Sequence, residues 1–212
     1  NQQDLQESLN YVFKYLYIIA IPAIFGIFVL GGYIVKLIYG IEYLPAVFPF
    51  YILSLLILMT PLASIIESLF SAREKPKYLI KIIILSTILG IILNYIFITI
   101  FIKTSSHMAI VGVAIATVIS QTFYLLGILL YTKKELNISL DLTHLTKPLI
   151  ASAIMALILF SINLMIDLNL IIGILEILLG AIIYFSVMFL IKGIGKKDIH
   201  LLKKIFKDLK SR

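Results

Sequence analysis

The sequence predicts an all-α, polytopic membrane protein with six spanning helices. Hydrophobic residues make up 61% of the 212 residues, and charged residues only 14%. Soluble domains carry about 25% charged residues, because their surface must meet water. Mean hydropathy is +1.10, and the apolar residues gather into six long runs. These observations exclude a soluble enzyme and a disordered region, both of which need a more polar chain.

Each apolar run is long enough to cross the hydrocarbon core as a helix, which takes about 20 residues. The runs do not alternate polar and apolar residues, as strands of a membrane β-barrel do. Backbone polar groups in lipid must be satisfied within the segment, so we expect helices throughout. The predicted spans are residues 15–37, 46–71, 79–102, 108–132, 148–166 and 168–191.

The basic residues are divided very unevenly between the two sides of the membrane that six helices define. Sixteen of the 18 lysines and arginines fall on the side that holds both ends of the chain, and only Lys36 and Lys103 fall on the other. Cytoplasmic loops are enriched in Lys and Arg, so both ends of this segment are predicted to be cytoplasmic, at the inner (plasma) membrane. The net charge of +7 is then a topology signal, and no nucleic-acid partner is expected.

The chain is predicted to have two parts, a six-helix lobe over residues 1–195 and a basic tail over residues 196–212. Within the tail, one helical face is apolar and the other carries lysines, namely Lys203, Lys204, Lys207 and Lys210. A basic amphipathic helix of this kind lies on the membrane surface. We therefore expect the tail to bind anionic membrane lipid; a partner protein is the alternative.

The sequence contains no motif for catalysis or for binding a metal or cofactor. It has no Gly-rich phosphate loop, no G-x-S-x-G and no H-E-x-x-H, and it has no cysteine. The prediction is therefore no catalytic residue, no metal and no cofactor. A membrane glycosyltransferase or acyltransferase is the enzyme alternative, with Asp141 and His144 in the loop at 133–147 as its candidates. A purely structural membrane scaffold is the remaining alternative.

Polar side chains lie inside the helices, as in a protein that moves a substrate. In the second span, one face carries four hydroxyls, those of Thr60, Ser64, Ser68 and Ser71, with Glu67 beside them. Pro61 in the same span can bend the helix and free a carbonyl. The sequence thus indicates a polar face on the second helix.

Small residues recur every four positions in the later spans, as Gly90 before Asn94 and Gly112 before Ala116. Such stripes mostly let helices pack closely in lipid, and packing is the favoured interpretation here and for Gly180. Asn94 differs, because its amide must find a hydrogen-bond partner or water.

Two acids lie within predicted spans, Glu67 and Glu176. An ionised carboxylate inside a bilayer costs at least about 2.5 kcal/mol, so each should face a bundle interior or a wet cavity. Both are candidate coupling acids. The structural alternatives are an interfacial acid near Arg73 for Glu67 and a protonated packing acid for Glu176.

Three motifs resemble those of polysaccharide-export flippases. The segment YGIEYLPA at residues 39–46 resembles the joint between two of their helices. LGIILNY at residues 89–95 and VGVAIATVIS at residues 111–120 are similar to two further helices of that family. The order and spacing match over roughly residues 10–135, in the O-antigen flippase-like branch of the multidrug/oligosaccharidyl-lipid/polysaccharide exporter superfamily.

The resemblance implies a transporter of two six-helix lobes around a central cavity, of which this chain is the C-terminal lobe. The N-terminal lobe of the same protein is then a partner, and a first residue other than Met agrees with a segment. The implied substrate is a polyprenyl-diphosphate-linked glycan, flipped from the cytoplasmic to the outer leaflet. The implied cavity residues are Thr60, Ser64, Glu67, Arg73 and Asn94. A cation-coupled multidrug exporter of the same superfamily is the alternative function.

Overall fold

A computed structural model describes residues 2–72, 76–136, 141, 143–165, 170–195 and 198. The chain there is built from helices joined by short connections. In chain order these are α1 (Gln2–Tyr39), a 3₁₀ helix (Ile41–Ala46), α2 (Val47–Ser54), α3 (Leu56–Ala72), α4 (Pro76–Phe101), α5 (Ser106–Leu136), α6 (Thr143–Asn163) and α7 (Leu170–Leu190).

Six stretches of these described residues are long and apolar enough to cross a membrane, the second running from the 3₁₀ helix through α3. The predicted all-α fold with six spans is therefore confirmed. Successive spans run in opposite directions, so the helix ends form two sets. The set that includes Gln2, Ala72, Leu136 and Leu190 is called the basic end below, and the opposite set the far end.

The first helix begins well before the predicted start at residue 15. Its extra turns are amphipathic, and Leu9 and Phe13 on their inner face are 5% and 2% exposed. Asp4 in the first turn suits the positive end of the helix dipole. Tertiary packing thus extends the helix past the residues that the membrane alone requires.

The second span is interrupted at Leu55, upstream of Pro61, where the sequence suggests a bend. The Ser54 hydroxyl donates to the Tyr51 carbonyl at 2.6 Å. In a regular α-helix the Leu55 N–H would donate to that carbonyl, but here it donates to Ile52 O at 3.3 Å. A serine hydroxyl competing for a backbone acceptor in this way bends or breaks a helix. The break divides the span into α2 and α3, and α3 continues through Pro61.

The buried core of the described residues lies mainly toward the basic end, in two clusters that share α1. One cluster joins α1, α3, α4 and α5 through residues such as Phe13, Ile66 and Ile128. The other joins α1, α6 and α7 through residues such as Ile18 and Met155. The basic half of α1 is therefore packed from both sides.

The α4–α5 interface is built on glycines. A methyl group at Gly112 would lie 3.2 Å from the Phe97 carbonyl oxygen, and one at Gly90 would lie 3.3 Å from Ser120 Oγ. Ala116 in the same stripe is fully buried. These contacts confirm the packing interpretation of the small residues, since close approach of two helices needs residues without bulk.

Candidate functional site

The hydroxyl face of α3 points away from the lobe. All four of its members, Thr60, Ser64, Ser68 and Ser71, are exposed. The opposite face is buried, with Ile66 and Phe70 at 0% exposure. The helix is thus anchored by one side and offers the polar side to whatever lies beyond the lobe.

Two of the hydroxyls on this face, those of Ser64 and Ser68, donate their protons to carbonyls of their own helix. Ser64 Oγ donates to Thr60 O at 3.1 Å, and Ser68 Oγ donates to Ser64 O at 2.7 Å. A serine hydroxyl has one donor proton and two acceptor lone pairs. With the protons engaged by the backbone, the oxygens are left to accept bonds from a ligand or to coordinate a cation.

Glu67 is half-buried at the edge of this face and is tied to α5. The Tyr124 hydroxyl donates to Glu67 Oε1 at 2.7 Å, and Tyr124 is only 7% exposed. The bond fixes the acid beside the hydroxyls of the same helix. Sequence reasoning missed Tyr124, because nothing local indicates which residue of α5 faces α3.

Asn94 is not brought to this face by any contact of the described residues. Asn94 Nδ2 donates to the carbonyl of Gly90 in its own helix at 2.8 Å. Its need for a partner is thereby met inside α4. Arg73 lies outside the described residues.

Glu176 occupies a different place, in the interior between α6 and α7. It is 3% exposed. With the Asn163 amide oriented so that both groups are satisfied, Asn163 Nδ2 donates to both carboxylate oxygens, at 2.6 and 2.8 Å. One turn away, Gly173 accommodates the ring of Tyr33 from α1. The two acids therefore belong to separate environments, Glu67 at an open face and Glu176 in a closed one.

A buried ion pair closes the basic end. Lys14 Nζ of α1 lies 2.7 Å from both carboxylate oxygens of Asp198, beyond α7. The Tyr15 hydroxyl donates to the same carboxylate at 3.0 Å, and the Gly195 N–H donates at 2.7 Å. Burial raises the pKa of Asp198, but the hydrogen bonds from Lys14, Gly195 and Tyr15 outweigh it and hold this pKa below its ordinary value.

Asp198 is the one described residue of the predicted basic tail at 196–212, whose other residues lie outside the described part of the chain. The ion pair was not predicted, because Lys14 and Asp198 are 184 positions apart.

The residues of the enzyme alternative are used for structure. Asp141 Oδ1 accepts bonds from the Thr143 N–H at 2.9 Å and from its hydroxyl at 2.5 Å. Those bonds from Thr143 lower the pKa of Asp141, and they form a turn that starts α6. His144 Nε2 is 3.6 Å from Asp141 Oδ2 on the exposed surface. Among the described residues, no group of three His, Cys, Asp or Glu could hold a metal ion.

Six apolar spans make the chain a multi-pass α-helical membrane protein, and one of these spans carries a polar face. The sequence matches the family of the lipid II flippase MurJ over residues 1–191. The chain therefore belongs to the lipid II flippase MurJ family, within the multidrug/oligosaccharidyl-lipid/polysaccharide exporter superfamily. A search of the curated proteins found no match.

Family membership confirms the resemblance to the flippases of this superfamily. It favours movement of lipid-linked oligosaccharide units through the membrane over the cation-coupled multidrug alternative. The family is one of transporters, not of enzymes. In a member of this family, the site of interest is the surface that contacts the lipid-linked glycan as it crosses the membrane.

Proposed function

We propose that this chain is one lobe of a flippase that moves a polyprenyl-diphosphate-linked glycan from the cytoplasmic to the outer leaflet. The observation that carries the site assignment is the exposed hydroxyl face of α3, on a helix whose other side is packed into the core. Polar residues within spanning helices face a bundle interior or a water-filled cavity. In this proposal the face is the wall of such a cavity, and a second lobe of the same protein forms the opposite wall.

The α3 face suits the glycan part of such a substrate. Sugar hydroxyls donate hydrogen bonds, and the oxygens of Thr60 and Ser64 accept them. Glu67, held by Tyr124, is a stronger acceptor because it can carry a charge. Weak bonds to several hydroxyls allow the glycan to leave as easily as it enters, which transport requires.

The diphosphate needs the opposite charge, which this face does not provide. In the proposal, cationic side chains at the helix ends hold it, with Arg73 as the candidate from this lobe. Arginine binds phosphate oxygens with two parallel N–H bonds. The exposed Lys81 near the start of α4 is a second cation at the same end of the bundle.

Glu67 is also the candidate coupling acid of this lobe. It is half-buried at the proposed cavity wall, so a proton or a cation can reach it from the cavity. Glu176 is closed off at 3% exposure and engaged by Asn163. We therefore assign coupling, where it occurs in this lobe, to Glu67 and assign a packing role to Glu176.

The test is transport by the intact transporter in liposomes, measured as lipid-linked glycan that becomes protected from an external glycan-modifying reagent. Thr60→Ala combined with Ser64→Ala removes two acceptors at about 1 kcal/mol each. We expect the apparent KM for the substrate to rise roughly thirtyfold, with a smaller effect on kcat.

Ser161→Ala is the matched control. Ser161 is exposed and donates to the Leu157 carbonyl four residues earlier at 2.8 Å, as Ser64 does to Thr60, but it lies on α6. Its replacement should leave transport unchanged. An unchanged KM in the α3 double variant, or an equal rise in the control, would overturn the site.

A further inference from the structure

Pro22 places a discontinuity in the middle of α1. Proline has no N–H, so the carbonyl four residues earlier, that of Ile18, loses its helical donor. The Tyr184 hydroxyl of α7 donates to that carbonyl at 2.8 Å, and Tyr184 is 2% exposed. Proline is tolerated in a spanning helix when a neighbour satisfies the freed backbone group. At this point α1 is therefore held by one side chain of another helix.

The following span has an irregular turn at Leu55, where Ser54 takes the Tyr51 carbonyl at 2.6 Å while the backbone angles stay helical. The chain between Pro22 and Leu55 is the far part of α1, the 3₁₀ helix and α2. These parts pack on each other, because the rings of Phe28 and Tyr51 are stacked with centroids 5.4 Å apart. Residues 23–54 therefore form one hairpin between Pro22 and the irregular turn at Leu55, and we call it the hinged hairpin. Its α2 arm also packs on α5.

The two sides of Pro22 have different neighbours, although both are packed, since Leu30 and Val35 on the far side are also buried. On the basic side, α1 contributes to both core clusters, and Lys14 is paired with the buried Asp198. On the far side, an apolar groove of about 390 Å³ lies between α1 and α7. Its lining includes Pro22, Gly26 and Tyr184, and a methyl group at Gly26 would meet no atom within 4 Å. The hinged hairpin thus has space to move into directly beside Pro22.

We propose that Tyr184 is a positioning residue, and that its hydrogen bond to the Ile18 carbonyl holds the hinged hairpin at one angle to the rest of the lobe. Loss of the bond lets α1 bend more easily at Pro22 and lets its far part move relative to α7. Its use in substrate movement rests on the proposed function, whereas the hinge itself does not.

The hinge is tested by distances in the intact transporter, freed of other cysteines. This segment contains no cysteine, so spin labels can be placed on chosen pairs. The far pair is Ile38 and Ile171, which are 64% and 70% exposed, and the near pair is Val12 and Leu190, which are 45% and 81% exposed. Tyr184→Phe keeps the ring and removes only the hydroxyl. We expect the minor conformer of the far pair to grow about threefold, with the near pair unchanged.

Pro22→Ala supplies the second variant and a double-mutant cycle. Alanine restores the N–H, so the Ile18 carbonyl regains its helical donor. We expect Pro22→Ala to narrow the distribution of distances between the two labels of the far pair. Tyr184→Phe should have no further effect on that distribution in the Pro22→Ala background. Three results would each overturn the hinge. The distance distribution of the far pair could be unchanged in Tyr184→Phe, the near pair could change equally, or Tyr184→Phe could have the same effect in the Pro22→Ala background.

The kinetics of flipping distinguish a failure of the hinge from a failure of the proposed function. With the hinge in use, Tyr184→Phe alters kcat for flipping and leaves KM unchanged, since α7 does not contact α3 in the described part of the chain. Altered distances with unaltered kcat would keep the hinge and remove its role in transport. A failure of the substrate assignment leaves the distance result as it stands.

Discussion

Glu67 and Glu176 show how the same residue type serves different purposes in one bundle. Glu67 is half-buried and accepts one hydrogen bond from Tyr124, so part of its carboxyl is open to the α3 face. Glu176 is enclosed, with both oxygens engaged by the Asn163 amide. An open acid suits a ligand, and an enclosed one suits a helix contact.

Replacing each acid by glutamine should therefore have different effects. Glu67→Gln keeps an acceptor for Tyr124 but removes the charge, so we expect less flipping per folded transporter at a normal protein level. Glu176→Gln replaces the charge-assisted bonds from Asn163 with weaker amide–amide bonds, which costs about 1 kcal/mol in the free energy of unfolding. We expect less folded protein and a lower melting temperature. Normal flipping by Glu67→Gln, or a normal melting temperature for Glu176→Gln, would contradict this assignment.

We expect the contribution of the Lys14–Asp198 ion pair to the free energy of unfolding to be independent of pH in the physiological range. A lowered pKa means that the stabilisation is present above the ordinary value of 3.8 and is lost only as pH falls through the lowered one. Asp198→Asn should cost about 1.5–3 kcal/mol. The difference in the free energy of unfolding between the Asp198→Asn variant and the unchanged protein should be constant from about pH 5 to 8, as measured by thermal unfolding.

Asp4→Asn is the control for that measurement, because Asp4 is an exposed acid in the first turn of α1. Its effect should stay within about 0.5 kcal/mol. A stability difference for Asp198→Asn that shrinks steadily between pH 8 and pH 5 would show that the carboxylate titrates there, against the prediction.

At the scale of the helices, the α4–α5 contact depends on residues without side chains. A methyl group at Gly112 would lie 3.0 Å from Phe101 Cδ2 and 3.2 Å from the Phe97 carbonyl oxygen. The backbone oxygen cannot move aside without moving α4. We expect Gly112→Ala to lower the free energy of unfolding by about 1–3 kcal/mol, measured in detergent.

Gly26→Ala is the matched variant, since Gly26 lies in a helix beside open space. Alanine is favoured over glycine in a helix interior by about 1 kcal/mol, so this change should be neutral or stabilising. Equal destabilisation by the two variants would mean that the glycines matter through backbone freedom and not through the interface.

At the scale of the whole molecule, the distribution of basic residues predicts the orientation. Reporter fusions after Lys134 and after Arg212 should read cytoplasmic, and a fusion after Lys103 should read external. The physical reason is the retention of Lys- and Arg-rich loops on the cytoplasmic side. A cytoplasmic signal after Lys103 would sink this orientation.

The exposed hydroxyl face also predicts that the lobe does not transport alone. A cavity needs a second wall, and the polar side of α3 faces outward from this one. We expect the purified 212-residue chain in liposomes not to flip lipid-linked glycan. Co-expression with the second lobe of the proposed transporter should restore flipping. Transport by the chain alone would refute this.

The sequence alone predicts the six spans, the flippase resemblance and the polar face that Thr60, Ser64 and Glu67 share. Those properties are local, because the length of an apolar run and the angle between residues on one helix need no knowledge of neighbours. The early start of α1 was missed, since only packing of Leu9 and Phe13 against other helices requires it.

Which side chains from different helices meet can be seen only in the folded chain. Glu67 with Tyr124, Glu176 with Asn163, and the Ile18 carbonyl with Tyr184 each join two helices. Pro22 is visible in the sequence, but the hydroxyl that compensates for its missing N–H lies 166 positions from the carbonyl it satisfies. In a membrane every span is apolar, so hydrophobicity does not say which helices are neighbours. That choice comes from close packing and from the need of each buried polar group for a partner.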